Sequence, residues 1–341
     1  MHRVSIGMPV YNGARYIQRT LDSVLQQTFT DIEIVISDNA STDATQDICS
    51  SFAARDRRVR YYRNVRNLGA AANYNKVFAL SRGQYFKWAA HDDICSPTFV
   101  ERCVAILDHD PSIVLCCSRA AMIDEEGLPT GGHGDRMLLL QENPSERLHA
   151  YFLAGSWVSH PVFGVMRRDV LMSTPLIANY VGSDLVLLAY LALAGKICEL
   201  PDTLFLYRDH RDRSARLSID KYPQWWSPEN RAALYFPHWR RFVEYQRAIA
   251  HADISLSQKA LCSIQVLRWF RWRWPHLSRE LTRTATVGTR MLLSQMSRSG
   301  KDLKGAEDGL TDTAPKTHKA QSTKAFEDCS SQPQQPEEQY K

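Results

Sequence analysis

Short β-branched runs alternate with segments of helical periodicity in the N-terminal part of the chain. The runs are VSIGMPV, IEIVISD, RVRYYRN, QYFKWAA and IVLCCS. Between them, apolar side chains recur at helical spacing, as at Ile17, Leu21 and Val24, and helices are expected over 70–80 and from Pro97. Strands that alternate with helices in this way form parallel sheets, so the pattern predicts an α/β fold with a mainly parallel, helix-flanked sheet.

The pattern changes toward the C-terminus. Trp, Arg and helical periodicity dominate after residue 220, and Pro275 is expected to end a helix there. Few large apolar side chains remain in the last part of the chain, which predicts disorder. We therefore expect an α/β catalytic domain over 1–220, a helical region over 221–296 and a disordered tail over 297–341.

Two other stretches carry a local prediction. The segment EEGLPTGGHGDRMLLLQENPS, at 125–145, is rich in Gly, Pro and charge and is expected to be extended or mobile. The longest apolar run, LVLLAYLALAG at 185–195, is shorter than the ~20 residues that a membrane-crossing helix needs. It is expected to form a buried helix.

Composition excludes several classes of protein. The net charge of +5 is too small and too dispersed to indicate a nucleic-acid partner. The eight cysteines include no C-x-x-C pair, so neither a zinc framework nor a disulfide scaffold is indicated, and a reducing cytosol is expected. The first ten residues lack the apolar stretch of a signal peptide, which agrees with a cytoplasmic location.

Two adjacent carboxylates, Asp92 and Asp93, follow the strand QYFKWAA. Ligands of such sheets bind beyond the carboxyl ends of the strands. Like charges side by side repel unless a cation lies between them and a ligand, so the pair suits a divalent metal and a diphosphate. Asp93 would bind the metal and Asp92 a sugar hydroxyl. The alternative is a loop that caps the helix after Pro97.

Other strand ends carry groups that could hold a nucleotide. Asp38 ends IEIVISD and can accept hydrogen bonds from a base or a ribose, although it could instead cap the next helix. Tyr11 offers a flat face for a base, or ordinary packing. Arg66 and Asn67 precede Gly69 and a helix, a combination that suits a base carbonyl or a phosphate.

The order of PVYNGARYIQRTLDSVLQQTF, ISDNASTDAT, RNVRNLGAAANYN and KWAAHDD resembles that of the family-two inverting glycosyltransferases with the GT-A fold, across residues 3–215. The resemblance implies a nucleotide-sugar donor and a divalent cofactor, Mg²⁺ or Mn²⁺, carried by Asp93. It also implies nucleotide contacts from the residues of the first four strand ends: Pro9, Tyr11, Asp38, Arg66, Asn67 and Asp92. His91 stands where many members carry Asp, so a motif with three carboxylates is absent.

The same resemblance assigns the transfer step. YVGSDLVLLAYL matches the segment in which an Asp opens a helix, which nominates Asp184 as the base, whereas the residue alone would suit a helix cap. LFLYRDHRDRSAR matches a Tyr-Arg-x-His element. His210 is therefore expected near the metal or a phosphate, and Arg208 or Arg213 near the leaving diphosphate. Trp157 lies in the segment that contacts the acceptor or the donor sugar.

The expected function is transfer of a sugar from a UDP- or dTDP-sugar to an acceptor hydroxyl with inversion, in polysaccharide or glycolipid synthesis. The segment LRWFRWRWP suggests contact with a membrane and a lipid-linked acceptor through 268–274, or a helix packed on the catalytic domain. Two alternatives are a catalytically silent carbohydrate-binding or scaffold protein and a nucleotidyltransferase. The second lacks the glycine-rich phosphate loop that it would need after the first strand.

Overall fold

The computed structural model describes residues 2–133, 136–154, 160–217, 222–228 and 236–308. The chain divides into two units, Met1–Ala285 and Thr286–Lys341. Apart from the C-terminal part of the last helix, all the residues discussed below belong to the first unit.

A single mixed sheet forms the centre of this unit, and its strands within the described residues are β1 Val4–Val10, β2 Ile32–Asp38, β3 Val59–Arg63, β4 Tyr85–Trp88, β5 Ile94–Cys95, β6 Ile113–Ile123, β7 Pro129–His133, β8 Val165–Arg167 and β9 Lys196–Arg208. The order is β3-β2-β1-β4-β8-β6-β9-β5, with β7 beside β6. Strands β1 to β4 pair in parallel, as do β6 and β9, whereas β5, β7 and β8 run antiparallel to their neighbours. The predicted mainly parallel sheet is therefore confirmed.

Helices connect and cover the strands: α1 Ile17–Leu25, α2 Thr45–Arg55, α3 Ala70–Leu80, α4 Phe99–His109, α5 Pro144–Leu153, α6 Arg168–Met172, α7 Ser183–Ala194, α8 Tyr222–Trp226, α9 Pro237–His251 and α10 Leu256–Asp308. Short 3₁₀ turns lie at His160–Phe163 and Ser214–Arg216. Helix α3 coincides with the helix predicted over 70–80. Helix α7 contains most of the apolar run and is largely buried, as expected.

Helices bury both faces of the sheet. Every residue of β1 and β2 is buried, which explains why these strands are almost continuously apolar. One core cluster contains Ile6 and Ile34, and the other contains Trp88, Leu188 and Trp269. Because parallel strands β1 to β4 end on the same side, their polar terminal residues meet at one edge.

Helix α10 continues through Pro275, so the predicted helix end at this proline is wrong. A proline removes one N–H donor and crowds the preceding turn. Here a tertiary contact supports the turn, because the Trp239 indole donates to the Leu277 carbonyl at 3.2 Å. A local hydrogen bond adds to it, from Ser278 Oγ to the Pro275 carbonyl at 3.2 Å. Packing against α9 therefore outweighs the local signal.

The C-terminal predictions have different outcomes. Helices do occupy much of 221–296, and Tyr245 of α9 and Trp269 of α10 lie in the same core as the sheet. Residues 297–308 are helical, while the rest of the predicted tail, 309–341, lies outside the described residues. The domain limits at 220 and 296 stay a prediction.

Strand β7 and the start of α5 lie within 125–145, the segment expected to be extended or mobile.

None of the helices in the described part of the chain combines the length and the apolarity that crossing a membrane requires.

Candidate active site

Asp38 ends β2 as a fully buried carboxylate that protein donors surround. It accepts hydrogen bonds from the backbone N–H of Ser41 at 2.8 Å, from the Tyr61 hydroxyl at 2.7 Å and from Arg63 at 3.0 Å. We call these four residues the Asp38 cluster. Both carboxylate oxygens are engaged, so the cluster fixes the loop after β2 against β3.

Side-chain amides organise the neighbouring loop. Asn39 donates to Asn67 Oδ1 at 2.8 Å and accepts from Asn64 at 2.9 Å, and Asn67 Oδ1 also accepts from the Gly69 N–H at 2.8 Å. Gly69 has φ +83°, and a Cβ there would lie 2.7 Å from the Trp226 carbonyl oxygen. Only glycine fits this position, which explains the predicted Asn-x-Gly element.

The remaining nucleotide candidates lie on the same edge. Pro9 is buried in β1 opposite Ser37, and Tyr11, which follows the strand, is 44% exposed. Arg66 is exposed on the loop after β3. The structure thus brings the predicted strand-end residues together, with Tyr11 and Arg66 open to a ligand.

Asp92 and Asp93 follow β4 and are held by the end of β9. His210 Nε2 lies 2.9 Å from Asp92 Oδ2, the Arg208 N–H donates to Asp93 Oδ1 at 3.0 Å, and Arg208 Nε donates to the Asp92 carbonyl at 3.0 Å. The two carboxylates are therefore fixed by residues more than a hundred positions away in the sequence.

The pKa values of the two carboxylates move in opposite directions. Burial raises the pKa of Asp93, and the negative charge of Asp92 raises it further, although Arg213 counteracts both. Burial also raises the pKa of Asp92, but His91 and His210 outweigh it, so the pKa of Asp92 is lowered. A second negative charge is disfavoured at this site unless a cation compensates it.

The two arginines of the β9 end differ in accessibility. Arg208 is almost completely buried: its guanidinium donates to the carbonyls of Asp124 at 2.7 Å and Glu125 at 3.1 Å and lies over the Tyr16 ring. Arg213 is 35% exposed and lies over the Tyr207 ring. Of the two, Arg213 is the more available to a ligand.

Asp184 is the second residue of α7, after Gly182, which has φ +83°. Burial raises the pKa of Asp184, and the backbone N–H of Leu185 and the nearby cation Arg241 partly offset this effect. Burial raises the pKa of Tyr74 on α3, and so do the charges of Asp92, Asp93 and Asp184. Tyr74 therefore lies within electrostatic reach of the strand-end pair and of the proposed base.

A divalent cation fits the donors at the β4 end. No group of three or more His, Cys, Asp or Glu side chains arranged for a metal occurs in the residues that the structure describes. However, ions that are bound largely through substrate phosphates need only one or two carboxylates. Asp93 carries a disfavoured charge, and His210 Nδ1 is buried without a hydrogen-bond partner among the described residues.

The sequence analysis missed some site residues, and one residue that it did predict lies outside the described part of the chain. Tyr74 belongs to the segment NYNK but shows no pattern that sets it apart, and Arg241 comes from α9, far from any motif. Tyr16, whose ring contacts both Arg208 and His210, immediately precedes α1 and belongs to no predicted motif. Trp157 lies outside the described residues.

The Trp/Arg segment of α10 has two faces. Trp269 is 1% exposed and packs against Phe152 and Tyr245, whereas Trp272 and Trp274 are 44% and 49% exposed. The inner face supports the interpretation as a packed helix, and the outer face leaves aromatic surface open.

Comparison with known proteins identifies the class. Residues 5–173 match the family model of glycosyl transferase family 2, and this region is a domain of that family. The structure of S. aureus TarS 1–349, determined in complex with UDP-GlcNAc, superposes with a TM-score of 0.58 at 18% identity, over 79% of this chain and 72% of that one. The predicted GT-A fold is thereby confirmed.

Curated relatives share a shorter stretch. An uncharacterized glycosyltransferase of Rickettsia typhi is 38% identical over 116 residues, 33% of this chain and 35% of that protein. The chondroitin synthase of Escherichia coli is 37% identical over 124 residues, 36% of this chain and 18% of that protein. The matched part of this chain thus spans about a third or less of the length of these relatives.

Proposed function

We propose that the protein transfers a sugar from a nucleotide-diphosphate sugar to an acceptor hydroxyl with inversion, in the synthesis of a polysaccharide or glycolipid. The observation that carries this proposal is that Asp92 and Asp93, after β4, and Asp184, at the start of α7, all raise the pKa of the same buried hydroxyl, that of Tyr74. A strand-end carboxylate pair suits a diphosphate, and a helix-opening carboxylate suits a base.

The nucleotide would lie along the ends of β1 to β4. Tyr11 is exposed and can stack on the base, while Arg66 and Asn67 border the same edge. Asp92 would bind the ribose. Asp38 is buried, so it would contribute mainly by fixing the loop after β2 near Pro9 and Tyr11. UDP and dTDP are the donor nucleotides that we favour, and the UDP-GlcNAc bound by TarS supports the first of them.

Asp93, with His210, would hold Mg²⁺ or Mn²⁺ against the diphosphate. Such an ion, when bound, neutralises the charge that develops on the departing nucleoside diphosphate. Arg213 is partly exposed beside the pair and would add a second positive charge to the leaving group. Arg208 would position Asp92 and Asp93 through its backbone N–H and Nε rather than contact the diphosphate.

Asp184 would take the proton from the acceptor hydroxyl as that oxygen attacks the anomeric carbon. The bond to the diphosphate breaks on the opposite face, so the anomeric centre is inverted. Burial raises the pKa of Asp184 above its ordinary value, which makes the carboxylate a stronger base than an exposed aspartate.

We also propose that the enzyme works on the cytoplasmic side of a membrane with a lipid-linked or sugar acceptor. The exposed rings of Trp272 and Trp274, next to Arg271 and Arg273, are suited to a membrane interface. Trp157 would contact the acceptor or the donor sugar.

The test is nucleotide-dependent thermal stabilisation combined with donor hydrolysis. Melting temperatures are measured with UDP, dTDP or GDP, with Mg²⁺, Mn²⁺ or EDTA, and release of the nucleoside diphosphate from nucleotide sugars is followed in parallel. We expect one nucleotide to raise the melting temperature only with metal, and this rise to be lost in Asp93→Ala.

The control Asp253→Ala removes an exposed carboxylate of the same type outside the site and should behave as the wild type. Absence of any nucleotide effect under every metal condition would contradict the donor site. Stabilisation without any hydrolysis or transfer would instead favour a silent nucleotide-binding protein.

A further inference from the structure

Arg241 of α9 is a buried cation with no ion-pair partner among the residues that the structure describes. Its side chain is 7% exposed, and its Nε makes no hydrogen bond to any of the described residues. Its guanidinium lies 5.8 Å from the centre of the Trp269 ring. Glu244, the acid one turn further along α9, is already paired with Arg240 and Arg247, each at 2.8 Å. Burying a guanidinium without an anion is costly.

The Arg241 side chain crosses the N-terminus of α7. A Cβ built on Gly182 would lie 3.1 Å from Arg241 Cδ and 3.6 Å from Nε. At the next residue, the Ser183 hydroxyl is buried and has no partner in the described part of the chain. Helix N-termini carry partial positive charge. In α7 the N–H groups themselves are engaged, since Ser183 donates to the Tyr180 carbonyl and the N–H groups of Asp184 and Leu185 face the Asp184 carboxylate. A cation, a hydroxyl and a helix N-terminus therefore converge beside Asp184.

Asp184 does not serve as the ion-pair partner of Arg241. The two charges influence each other, but no nitrogen of Arg241 lies within 4.0 Å of an oxygen of Asp184 or of any other described carboxylate. The surroundings add more positive charge, since burial and three nearby arginines, Arg273, Arg279 and Arg241, are among the causes that lower the pKa of His276. The local potential favours an additional anion.

We infer that Arg241 and Ser183, at the N-terminus of α7, bind an anionic group of the acceptor, a carboxylate or a phosphate, next to the hydroxyl that Asp184 deprotonates. This inference rests on the proposed function. A guanidinium binds both groups with paired, charge-assisted hydrogen bonds, whereas a neutral sugar hydroxyl would leave its charge uncompensated. The acceptor is thus an acidic sugar or a sugar phosphate.

The experiment compares matched acceptors that differ in one charged group. Methyl glucuronoside is paired with methyl glucoside, methyl galacturonoside with methyl galactoside, and mannose 6-phosphate with mannose. Transfer is measured at a pH above the acidic limb of the rate profile, with the donor and metal that support hydrolysis. In the wild type we expect kcat/KM for at least one anionic member to exceed that of its neutral partner about ten- to hundredfold.

The variants assign this preference to the site. Arg241→Gln should reduce the anionic-to-neutral ratio to near one, Arg241→Lys should retain part of it, and Ser183→Ala should weaken it. Arg247→Gln, which alters an arginine of the same helix, should keep the wild-type ratio. A preference for the carboxylate pair or for the phosphate pair identifies which anion the acceptor carries.

Two results would overturn the inference. One is equal use, or no use, of the anionic and neutral members while the wild type still hydrolyses its donor. The other is an equal loss for both members in Arg241→Gln, which would mean that Arg241 acts through Asp184. Failure of donor hydrolysis in the wild type would instead count against the proposed function itself.

Discussion

Two buried polar clusters lie at the carboxyl end of the sheet, and they differ in how far protein groups satisfy them. In the Asp38 cluster, both carboxylate oxygens have protein donors, and Arg63 balances the charge. Around Asp184 and Asp93, several polar atoms are buried without partners among the described residues, namely Ser183 Oγ, His210 Nδ1 and Arg241 Nε.

The difference separates scaffolding from chemistry. A satisfied buried network stabilises one conformation, whereas unsatisfied buried groups cost free energy and persist where a ligand completes them. The Asp38 cluster therefore fixes the carboxyl ends of β2 and β3, where the nucleotide is proposed to bind, before any ligand is present. The Asp184 region keeps its bonding capacity for the diphosphate, the metal and the acceptor. Substitutions in the Asp38 cluster should mainly lower stability, whereas substitutions in the Asp184 region should mainly lower the rate of transfer.

Replacement of Asp184 should have the largest effect on transfer. Asp184→Asn removes the proton acceptor, so we expect the rate to fall by roughly 10²- to 10⁴-fold. Stability should stay unchanged or rise, because burial disfavours the charged form of this carboxylate. Product formation and melting temperature are measured together. Glu146→Gln, which changes an acid in the first turn of α5, is the control. A variant that keeps a tenth of the activity would contradict the assignment.

Asp38→Asn should have the opposite profile, with a large loss of stability. The amide cannot accept from all three donors, and Arg63 loses its counter-charge. We expect a loss of about 2–3 kcal/mol, since Arg63 is partly hydrated, and a melting temperature lower by about 4–12 °C. Arg63→Gln should cost less, because this side chain is 36% exposed. An unchanged melting temperature would mean that the cluster does not stabilise the loop.

The sequence predicted the first half of the fold well, because its signals are local. The alternation of apolar runs and helical periodicity placed β1 to β4 and α3. The antiparallel strands β8 and β5 were not predicted. They contain three and two residues, respectively, which is too short for a periodic signal. Pro275 misled the analysis because the contact of Trp239 with Leu277 comes from another helix.

The same distinction between local signals and long-range contacts applies to the candidate site. Strand-end carboxylates such as Asp38 and Asp93 can be located from the sequence, because the end of a parallel strand is itself predictable. Whether such a carboxylate is satisfied depends on partners from distant elements, as Tyr61 shows for Asp38 and Arg208 for Asp93. The state of Arg241 also depends on the packing of α9 against α7, which no local pattern specifies.

Gly69→Ala should test how strongly the loop between β3 and α3 depends on its backbone conformation. The backbone has φ +83°, and the new Cβ would meet the Trp226 carbonyl oxygen at 2.7 Å, so strain and a clash add. We expect a loss of about 1–3 kcal/mol and weaker nucleotide binding, measured by thermal unfolding and titration. Gly131→Ala separates the two causes, because φ is +101° but nothing lies within 4 Å. Equal losses in both variants would exclude a role for the contact with Trp226.

The smallest effect should appear in the pH dependence of transfer. The groups that face Asp184 are Arg241 and four tyrosines, Tyr74, Tyr151, Tyr222 and Tyr245, whose phenol pKa values burial raises, so that Arg241 is the charged one at neutral pH.

Because burial raises the pKa of Asp184, the base is protonated first as the pH falls, and the rate should drop through a midpoint above the ordinary value of about 3.9. Arg241→Gln removes a cation that lowers this pKa, so the midpoint should move further up. Rates with a neutral acceptor over a pH series measure both midpoints. A wild-type midpoint at or below the ordinary value would show that Asp184 is solvated like the surface aspartates, and the contrast between the two clusters would not extend to the base.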